Sequence, residues 1–339
     1  MKQLKRPRVA WLALVGALVV GLGLTIGGPA WAEARQAPGT TQRHTYTNAA
    51  GTRQYLLASP PARFVGRRPL VVVLHGCTQT ADDAATQTRF TQLGAAEGFY
   101  VIYPEQDAHA NGGRCWNWFL PGDQSRDAGE PSIIADITRH VAAAYRVDAA
   151  RMYVDGLSAG AAMSVVMGAT YPELYAAIGV IAGCEYRGLP CVGSASVVPP
   201  TTAGQWAFQA MGPRARVMPV FAEVGDLDLV APAPNTEQVV QQWLATDDIA
   251  DDIGGDGSIA TTPASTTHGQ VPNGYSYDVD HYRDGTCPLI ERWLTHGMGH
   301  AYPGGTAGVP YSDPKGPDVT VAAWHFFSQF SQARPRGCV

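Results

Sequence analysis

Short apolar runs rich in β-branched residues alternate along the chain with stretches whose apolar residues recur every three to four positions. The run from Pro69 to Leu74 is typical of a strand buried on both faces of a parallel sheet, which requires helices on both sides. Further strands are predicted at 52–58, 99–103, 151–155, 176–182, 217–224, 275–282 and 290–294, and helices at 81–96, 133–145, 159–170, 238–245 and 319–330. This order predicts a doubly wound α/β sheet.

Two polar stretches interrupt the pattern. Residues 33–43 carry no periodicity, so we interpret them as a flexible N-terminal segment. Residues 247–273 are rich in Gly, Asp, Ser and Thr and predict a surface loop or disordered insertion. Because the chain shows neither an internal repeat nor an interdomain linker, we expect one domain over residues 44–339.

The first 32 residues have the pattern of a secretory signal peptide. Four basic residues precede an apolar stretch from Val9 to Ile26, and the small-x-small sequence that signal peptidase cuts ends at Ala32. An uncleaved membrane anchor is the alternative, because the apolar stretch approaches spanning length, but several glycines and Pro29 disfavour it. We therefore expect an extracellular protein with no stable membrane association after cleavage.

The composition narrows the class of partner. Of the 339 residues, 16% are charged and 45% are hydrophobic. The hydrophobic fraction is large enough to form a sizeable buried core. The formal net charge is −5, and loss of residues 1–32 would leave 20 Lys and Arg against 29 Asp and Glu, a net charge of −9. This leaves no basic surplus for neutralising phosphates, which argues against nucleic acid as a partner.

All six cysteines follow the expected cleavage point, and an even count in an exported chain favours disulfides over free thiols or a metal site. The sequence alone leaves their connectivity open. Proximity, together with the need of the C-terminal cysteine for an anchor, suggests the pairs Cys184–Cys191, Cys287–Cys338 and Cys77–Cys115.

The motif that indicates chemistry is Gly156-Leu-Ser158-Ala-Gly160. It lies where a predicted buried strand meets a predicted helix of small residues, which is the context that gives a G-x-S-x-G match its meaning. Glycines are required because side chains at the flanking positions would collide with neighbouring backbone. We therefore predict that Ser158 is a nucleophile at the N-terminus of a helix.

A serine hydroxyl is a weak nucleophile and needs a base and an orienting carboxylate, which follow it in the order Asp or Glu, then His. His300 lies in a glycine-flanked loop after a predicted strand, so we prefer it as the base, with His296 as the main rival. Asp226 and Asp228 follow the predicted strand 217–224. Asp226 could instead cap the turn, so we prefer Asp228 as the carboxylate.

The oxyanion hole requires two backbone N–H donors. One is expected at Ala159, directly after the nucleophile. The other should come from the loop after Leu74, where we choose the amide of Cys77. A bridge from Cys77 to Cys115 would hold this loop in place.

Five motifs together resemble the secreted polyhydroxybutyrate depolymerase family, whose members are α/β-hydrolases related to feruloyl and acetylxylan esterases. They are His75-Gly-Cys-Thr-Gln79, Tyr103-Pro-Glu-Gln106, Arg114-Cys-Trp-Asn-Trp-Phe119, Gly156-Leu-Ser-Ala-Gly160 and Gly297-Met-Gly-His-Ala-Tyr-Pro-Gly-Gly305.

The resemblance implies an α/β-hydrolase fold with Ser158 as nucleophile, His300 as base and an oxyanion hole at Cys77 and Ala159. It also supports Asp228, because Gly225-x-x-Asp228 before a Val-Ala-Pro loop matches the family pattern, although the valine comes one residue early. The implied substrate is a polyester of short 3-hydroxyalkanoates. A feruloyl or acetyl ester of a plant polysaccharide is the alternative, and a non-catalytic binding protein is the alternative of another class. We expect a monomer without cofactor and without a separate polymer-binding domain.

Three residues of the third motif could form the substrate cleft. Trp116 and Trp118 flank Asn117 directly after Cys115, so they would contact the acyl or alkyl chain of an ester if they faced the site. The alternative is that both tryptophans pack in the core.

Overall fold

A ten-stranded sheet crosses the part of the chain that the computed structural model describes, residues 39–251 and 255–333. Its strands in chain order are β1 (Thr40–Asn48), β2 (Gly51–Ser59), β3 (Arg68–Leu74), β4 (Tyr100–Glu105), β5 (Val147–Gly156), β6 (Ala177–Ile181), β7 (Val220–Gly225), β8 (Ser265–Gln270), β9 (Ser276–Asp284) and β10 (Cys287–Thr295). A separate pair joins β11 (Tyr302–Pro303) to β12 (Ser312–Asp313). The helices are α1 (Ala81–Thr88), α2 (Phe90–Glu97), α3 (Gly129–Ala144), α4 (Ala159–Thr170), α5 (Pro200–Met211), α6 (Ala233–Ala250) and α7 (Val319–Phe327), with 3-10 turns at Pro121–Asp123 and Gly212–Arg214.

The strand order across the large sheet is β1-β2-β4-β3-β5-β6-β7-β10-β9-β8. The six central strands, from β4 to β10, run parallel, and the strands outside them pair antiparallel. The predicted doubly wound α/β sheet is confirmed, with antiparallel strands added at both edges.

Alternate residues of the central strands fill two apolar cores, one on each face of the sheet. Val72 and Val154 belong to the core against α3 to α6, whereas Val71 and Tyr153 belong to the core against α1, α2 and α7. Both faces are apolar because both are covered, which explains the continuous hydrophobic runs of these strands. All twelve residues of α4 are buried, so the helix that follows Ser158 has no face toward solvent.

The polar N-terminal segment differs from the prediction. β1 pairs with β2 along its full length, so residues 40–43 form a strand instead of a flexible segment. Most of its side chains are exposed at the edge of the sheet, and backbone pairing holds the strand without an apolar pattern that the sequence could show. Residues 33–38 and the predicted signal peptide, 1–32, lie outside the described residues.

The predicted insertion at 247–273 contains regular structure at both ends. α6 continues to Ala250, and β8 pairs antiparallel with β9. β8 is a second exposed edge strand, and its sequence Ser-Thr-Thr-His-Gly-Gln lacks the apolar alternation that predicts strands. Residues 252–254 lie outside the described part.

Two helical predictions also change. Arg89 has a left-handed φ of 59° and divides the predicted helix 81–96 into α1 and α2. The hydrophobic pattern does not predict α5, which packs on α6 through Gly204 at a point where any side chain would collide with Ala245. α5 is therefore positioned by close packing of small residues against α6, and not by the stripe of large apolar residues that predicts a helix from sequence. Within residues 39–251 and 255–333, no helix has the length and apolar character needed to cross a membrane.

Candidate active site

Ser158 lies on a tight turn between β5 and α4. Its backbone has φ 58° and ψ −118°, a conformation that is strained for a residue with a side chain. The Ser158 N–H donates to the Ile181 carbonyl at 2.9 Å, and the Leu157 N–H donates to the Leu74 carbonyl at 3.2 Å. The turn is therefore fastened to β3 and β6, the two strands that flank β5.

The two glycines of the motif allow the backbone segments around the serine to approach each other. A Cβ atom at Gly156 would collide with the backbone of Gly160, and a Cβ atom at Gly160 would collide with the carbonyl of Leu74. Neither glycine has a left-handed φ. The turn therefore requires the absence of a side chain at both positions, not their conformational freedom.

His300 and Asp228 meet at the end of the sheet. The His300 Nδ1 lies 2.7 Å from the Asp228 Oδ2, and the Asp228 side chain is fully buried. The other carboxylate oxygen of Asp228 accepts the N–H groups of Val230 and Ala231, each at 2.8 Å. Because these donors fix the carboxylate, it can fix the orientation of the imidazole in turn.

The two rival residues, Asp226 and His296, pair with each other instead. The His296 Nδ1 lies 3.1 Å from the Asp226 Oδ2, and the Asp226 Oδ1 accepts the Gly297 N–H at 2.7 Å. On its other side the His296 Nε2 lies 3.2 Å from Asp278. Hydrogen bonds to Asp226 and Asp278 raise the pKa of His296. Both rivals are occupied in a surface ion-pair cluster and do not line the cavity that contains Ser158.

Ser158 and His300 line one cavity of about 310 Å³ at the C-terminal end of the central strands. No Asp, Glu, Lys or Arg lies in its wall. The other lining residues are Gly76, Cys77, Gln79, Cys115, Leu157, Val192, Val230 and Tyr311. An uncharged cavity with a nucleophile and an imidazole is suited to a neutral ligand with an electrophilic centre.

The predicted oxyanion donors lie beside this nucleophile. Ala159 is the first residue of α4, where N–H groups have no partner within the helix. Cys77 lines the cavity, and its N–H donates to no acceptor among the described residues. A disulfide joins Cys77 to Cys115 and holds the loop that carries this amide. Both amides are therefore available to a ligand.

The predicted cleft residues occupy a different place. Trp116 is fully buried and packs on His75 with ring centroids 5.5 Å apart, and Trp118 is also buried. Asn117 donates two hydrogen bonds to the buried Glu130 carboxylate. Its backbone N–H lies 2.6 Å from one oxygen, and its side-chain amide nitrogen lies 2.7 Å from the other. None of the three lines the cavity. Trp116 packs instead behind the loop that carries Cys77, through its contact with His75.

The cavity residues that the sequence did not single out are Val192, Val230 and Tyr311. Val230 belongs to the Val-Ala-Pro loop after Asp228 but is not predicted to line the cavity, and no sequence signal marks Val192 or Tyr311, which are isolated residues in loops. Val192 directly follows the disulfide between Cys184 and Cys191, which the sequence predicts. The third predicted pair, Cys287 with Cys338, includes a residue outside the described part of the chain.

Two further carboxylates lie fully buried near the site. Glu223 in β7 accepts the Thr295 hydroxyl at 2.8 Å through one oxygen, and its other oxygen has no partner among the described residues. Burial raises the pKa of Glu223 to about 8 and the pKa of Asp155 in β5 to about 7. Glu223 therefore keeps its proton at neutral pH and adds no full negative charge near Asp228.

A mostly parallel sheet with a serine at a strand-turn-helix junction, followed by an aspartate and a histidine after later strands, defines the α/β-hydrolase class. Solved structures share this fold. An acetyl xylan esterase from Aspergillus awamori matches with a TM-score of 0.65 at 22% identity, covering 77% of this chain and 94% of that chain. The S954A mutant of a feruloyl esterase module from Clostridium thermocellum matches with a TM-score of 0.51 at 12% identity, covering 78% and 82%.

Residues 53–263 match the Esterase PHB depolymerase family, and the chain belongs to this family. It is 33% identical over 296 residues to a poly(3-hydroxyalkanoate) depolymerase C from Paucimonas lemoignei, covering 80% of this chain and 64% of that protein. It is 36% identical over 144 residues to acetylxylan esterase A from Talaromyces purpureogenus, covering 41% and 36%. The chain thus spans less than two thirds of the length of either relative. The family predicted from the five motifs is confirmed.

The raised pKa of Glu223 predicts how the free energy of unfolding changes with pH. In the unfolded chain this carboxyl has its ordinary pKa of 4.5 and is ionised above that pH, whereas in the folded protein it stays protonated up to about pH 8. Between pH 4.5 and about pH 8, unfolding therefore releases one proton. This group therefore lowers the free energy of unfolding by up to about 1.4 kcal/mol per pH unit as pH rises through that window. Glu223→Gln keeps a neutral acceptor for Thr295 and should remove this slope.

Urea unfolding at pH 5, 6.5 and 8 measures the difference. The free energy of unfolding of the Glu223→Gln variant, relative to that of the unsubstituted protein, should increase from pH 5 to pH 8. Glu97→Gln, which removes an exposed carboxylate, is the control and should show no such growth. Parallel stability curves for Glu223→Gln and the unsubstituted protein would show that Glu223 is ionised in the folded state.

Proposed function

We propose that this protein is an exported serine esterase that hydrolyses poly(3-hydroxybutyrate) or related short-chain polyhydroxyalkanoates. The observation that carries the proposal is the uncharged cavity shared by Ser158 and His300, with the imidazole bonded to the buried Asp228. Membership of the Esterase PHB depolymerase family and the depolymerase relative from Paucimonas lemoignei support the choice of substrate.

In the first half of the reaction, the Ser158 Oγ attacks the carbonyl carbon of the ester and His300 Nε2 accepts the hydroxyl proton. The carbonyl oxygen becomes an oxyanion, which the N–H groups of Cys77 and Ala159 stabilise. When the bond to the alkoxide breaks, His300 donates the proton to it. The products of this half are a free alcohol and an acyl group on Ser158.

In the second half, water replaces the alcohol. His300 removes a proton from the water, whose oxygen attacks the acyl carbon, and the second tetrahedral intermediate uses the same two donors. Collapse of this intermediate returns the proton to Ser158 and releases the carboxylic acid. Asp228 keeps Nδ1 protonated and stabilises the imidazolium that forms in each half. These steps use side chains, backbone N–H groups and water.

Export is part of the proposal. Its supports are the leader pattern over residues 1–32 and the two disulfides of the described residues, Cys77–Cys115 and Cys184–Cys191.

A second substrate class is an acetyl or feruloyl ester of a plant polysaccharide. It is favoured by the acetylxylan esterase relatives and by the structural match to an acetyl xylan esterase. The aliphatic side chains of Val192 and Val230 in the cavity wall favour the polyester, whose acyl chain is itself aliphatic.

The chemistry is tested by labelling and by turnover of three substrates. A fluorophosphonate should label the protein at one site, and Ser158→Ala should abolish the label while the thermal unfolding curve stays intact. The unsubstituted protein should clear an opaque poly(3-hydroxybutyrate) suspension faster than it releases acetate from acetylated xylan or ferulate from a feruloyl ester. Release of acetate or ferulate without clearing would reverse the order of the two substrate classes. An unlabelled but folded protein would show instead a non-catalytic binding protein on a hydrolase scaffold.

The two aspartates after β7 provide a matched pair of variants. Asp228→Asn should lower kcat by about 10³- to 10⁴-fold, because the amide no longer holds the catalytic tautomer of His300. Asp226→Asn should leave kcat near the unsubstituted value, because Asp226 contacts His296 and Gly297 instead. Steady-state kinetics on a soluble p-nitrophenyl ester measure both. Equal losses in the two variants would contradict the assignment of Asp228.

A further inference from the structure

Exposed aliphatic side chains concentrate beside the cavity. Six of the ten large hydrophobic residues that are exposed in the described chain belong to two neighbouring loops, and we call these six the apolar rim: Leu189, Val192, Val197, Leu227, Leu229 and Val230. Val192 and Val230 also line the cavity. The Gly193 N–H donates to the Val230 carbonyl at 2.8 Å, so the two loops form one surface. The apolar rim is therefore continuous with the wall of the cavity.

Charged residues are scarce in the same region, and Asp226, which precedes Leu227, is paired with His296. Residues 188–213 and 229–236 contain no Asp, Glu, Lys or Arg, and Asp228 between the rim residues is buried. Across the cavity, residues 301–312 are also without such a residue, and they include the exposed Tyr311 beside His300. A surface of this kind loses little favourable hydration when it is covered by uncharged material.

The loop that carries half of the apolar rim is held in place. The disulfide from Cys184 to Cys191 closes its first part. The buried Asn235 side chain donates to the carbonyls of Cys191 and Ser194, at 3.0 and 3.1 Å. The rim is thus a preformed surface, which reduces the entropy lost when it binds.

We infer that the apolar rim adsorbs this protein to the surface of a solid, uncharged aliphatic polyester and so places the cavity mouth on its substrate. The inference rests on the proposed function. Continuity of the rim with the cavity indicates that the occupant is the substrate material itself, because whatever covers the rim also covers the entrance to Ser158. A polyester presents methyl and methylene groups that bury aliphatic side chains, whereas a polysaccharide surface presents mainly hydroxyl groups.

The test uses the full chain and a double variant in which two rim residues outside the cavity wall become polar, Val197→Thr with Leu229→Gln. Both positions are more than three quarters exposed, at 79% and 83%, so the fold should tolerate the changes. The affinity for poly(3-hydroxybutyrate) particles should fall about tenfold, with a matching loss of clearing rate at low enzyme concentration. Turnover of a soluble p-nitrophenyl ester should stay at the unsubstituted rate.

Val65→Thr is the matched control. Val65 is 77% exposed, but it precedes the N-terminal end of β3, at the opposite end of the strands from the cavity. This variant should adsorb and clear as the unsubstituted protein does. Unchanged adsorption of the double variant would overturn the inference while leaving the proposed function intact. A dimer that dissociates on substitution of the rim would overturn it in favour of an interface between two copies. Absence of turnover of any ester by the unsubstituted protein would instead refute the proposed function.

A second inference concerns the buried His75, and it rests on hydrogen bonds unrelated to the apolar rim. The His75 Nε2 lies 3.0 Å from the backbone N of Gln106, which can only donate, so Nε2 is the acceptor. The proton is therefore on Nδ1, which lies 2.7 Å from the Gly76 carbonyl oxygen. Burial lowers the pKa of His75, in agreement with a neutral ring.

The Gly76 carbonyl and the Cys77 N–H belong to the same peptide group. In a trans peptide these two bonds point in opposite directions, so fixing the carbonyl also fixes the direction of the N–H. The structure assigns His75 as a positioning residue that aims the Cys77 N–H into the cavity. Misalignment of one oxyanion donor affects the transition state more than the bound ester.

Two amide variants separate the two bonds of the ring. His75→Asn keeps a donor near the position of Nδ1, and His75→Gln keeps an acceptor near the position of Nε2. With kcat counted per fluorophosphonate-titrated site, His75→Gln should lose about 10- to 100-fold in kcat at nearly constant KM, and His75→Asn should recover most of it. Equal kcat values per titrated site would show that His75 serves folding alone. A greater loss in His75→Asn than in His75→Gln would overturn the assignment.

Discussion

The close contact between Gly160 and the Leu74 carbonyl is the constraint on which the candidate site depends. This contact lets the N-terminus of α4 lie directly against the end of β3, because no side chain separates the two backbones. The loop after Leu74 carries Cys77, and the turn before Gly160 carries Ser158. Backbone packing therefore brings together the two groups that the proposed mechanism directs at one carbonyl. Since α4 is buried on all sides, it cannot shift away without repacking the core.

Two buried carboxyl groups near the end of β7 differ in the number of hydrogen bonds that they receive. Asp228 receives two backbone N–H groups and faces the His300 Nδ1, so its oxygens are well satisfied. Glu223 receives one hydroxyl group and holds a proton instead of a charge. The protonated form of Glu223 avoids a second buried charge beside Asp228, at the cost of one oxygen without a partner among the described residues.

The sequence predicts those parts of the molecule whose physical cause is local. The apolar runs of β3 and β5 and the glycines around Ser158 are dictated by burial and by close contact, so the central sheet and the position of the serine can be predicted. The edge strands β1 and β8 cannot, because pairing of exposed backbone leaves no hydrophobic signature. Trp116 and Trp118 show a further limit, since an aromatic residue next to a site motif can equally support the motif from behind. The cavity wall depends on the meeting of loops that are distant in sequence, as with Val192 and Val230, and no local pattern encodes that meeting.

Chemistry and recognition depend on different parts of this fold. The loop that carries Cys77 is held by a disulfide and by a hydrogen bond from the buried His75 to Gly76, so its geometry is tied to the core. The apolar rim belongs to loops with exposed side chains, where a substitution costs the fold little. Under the proposed function, a substitution in the rim would therefore change the material that the protein contacts without changing how an ester is cleaved. The acetyl xylan esterase and the feruloyl esterase module share the fold at 22% and 12% identity to this chain, so the fold is compatible with very different side chains. Under the proposed function, the rim and the aliphatic cavity wall at Val192 and Val230 would both select the substrate, whereas the triad would supply the reaction.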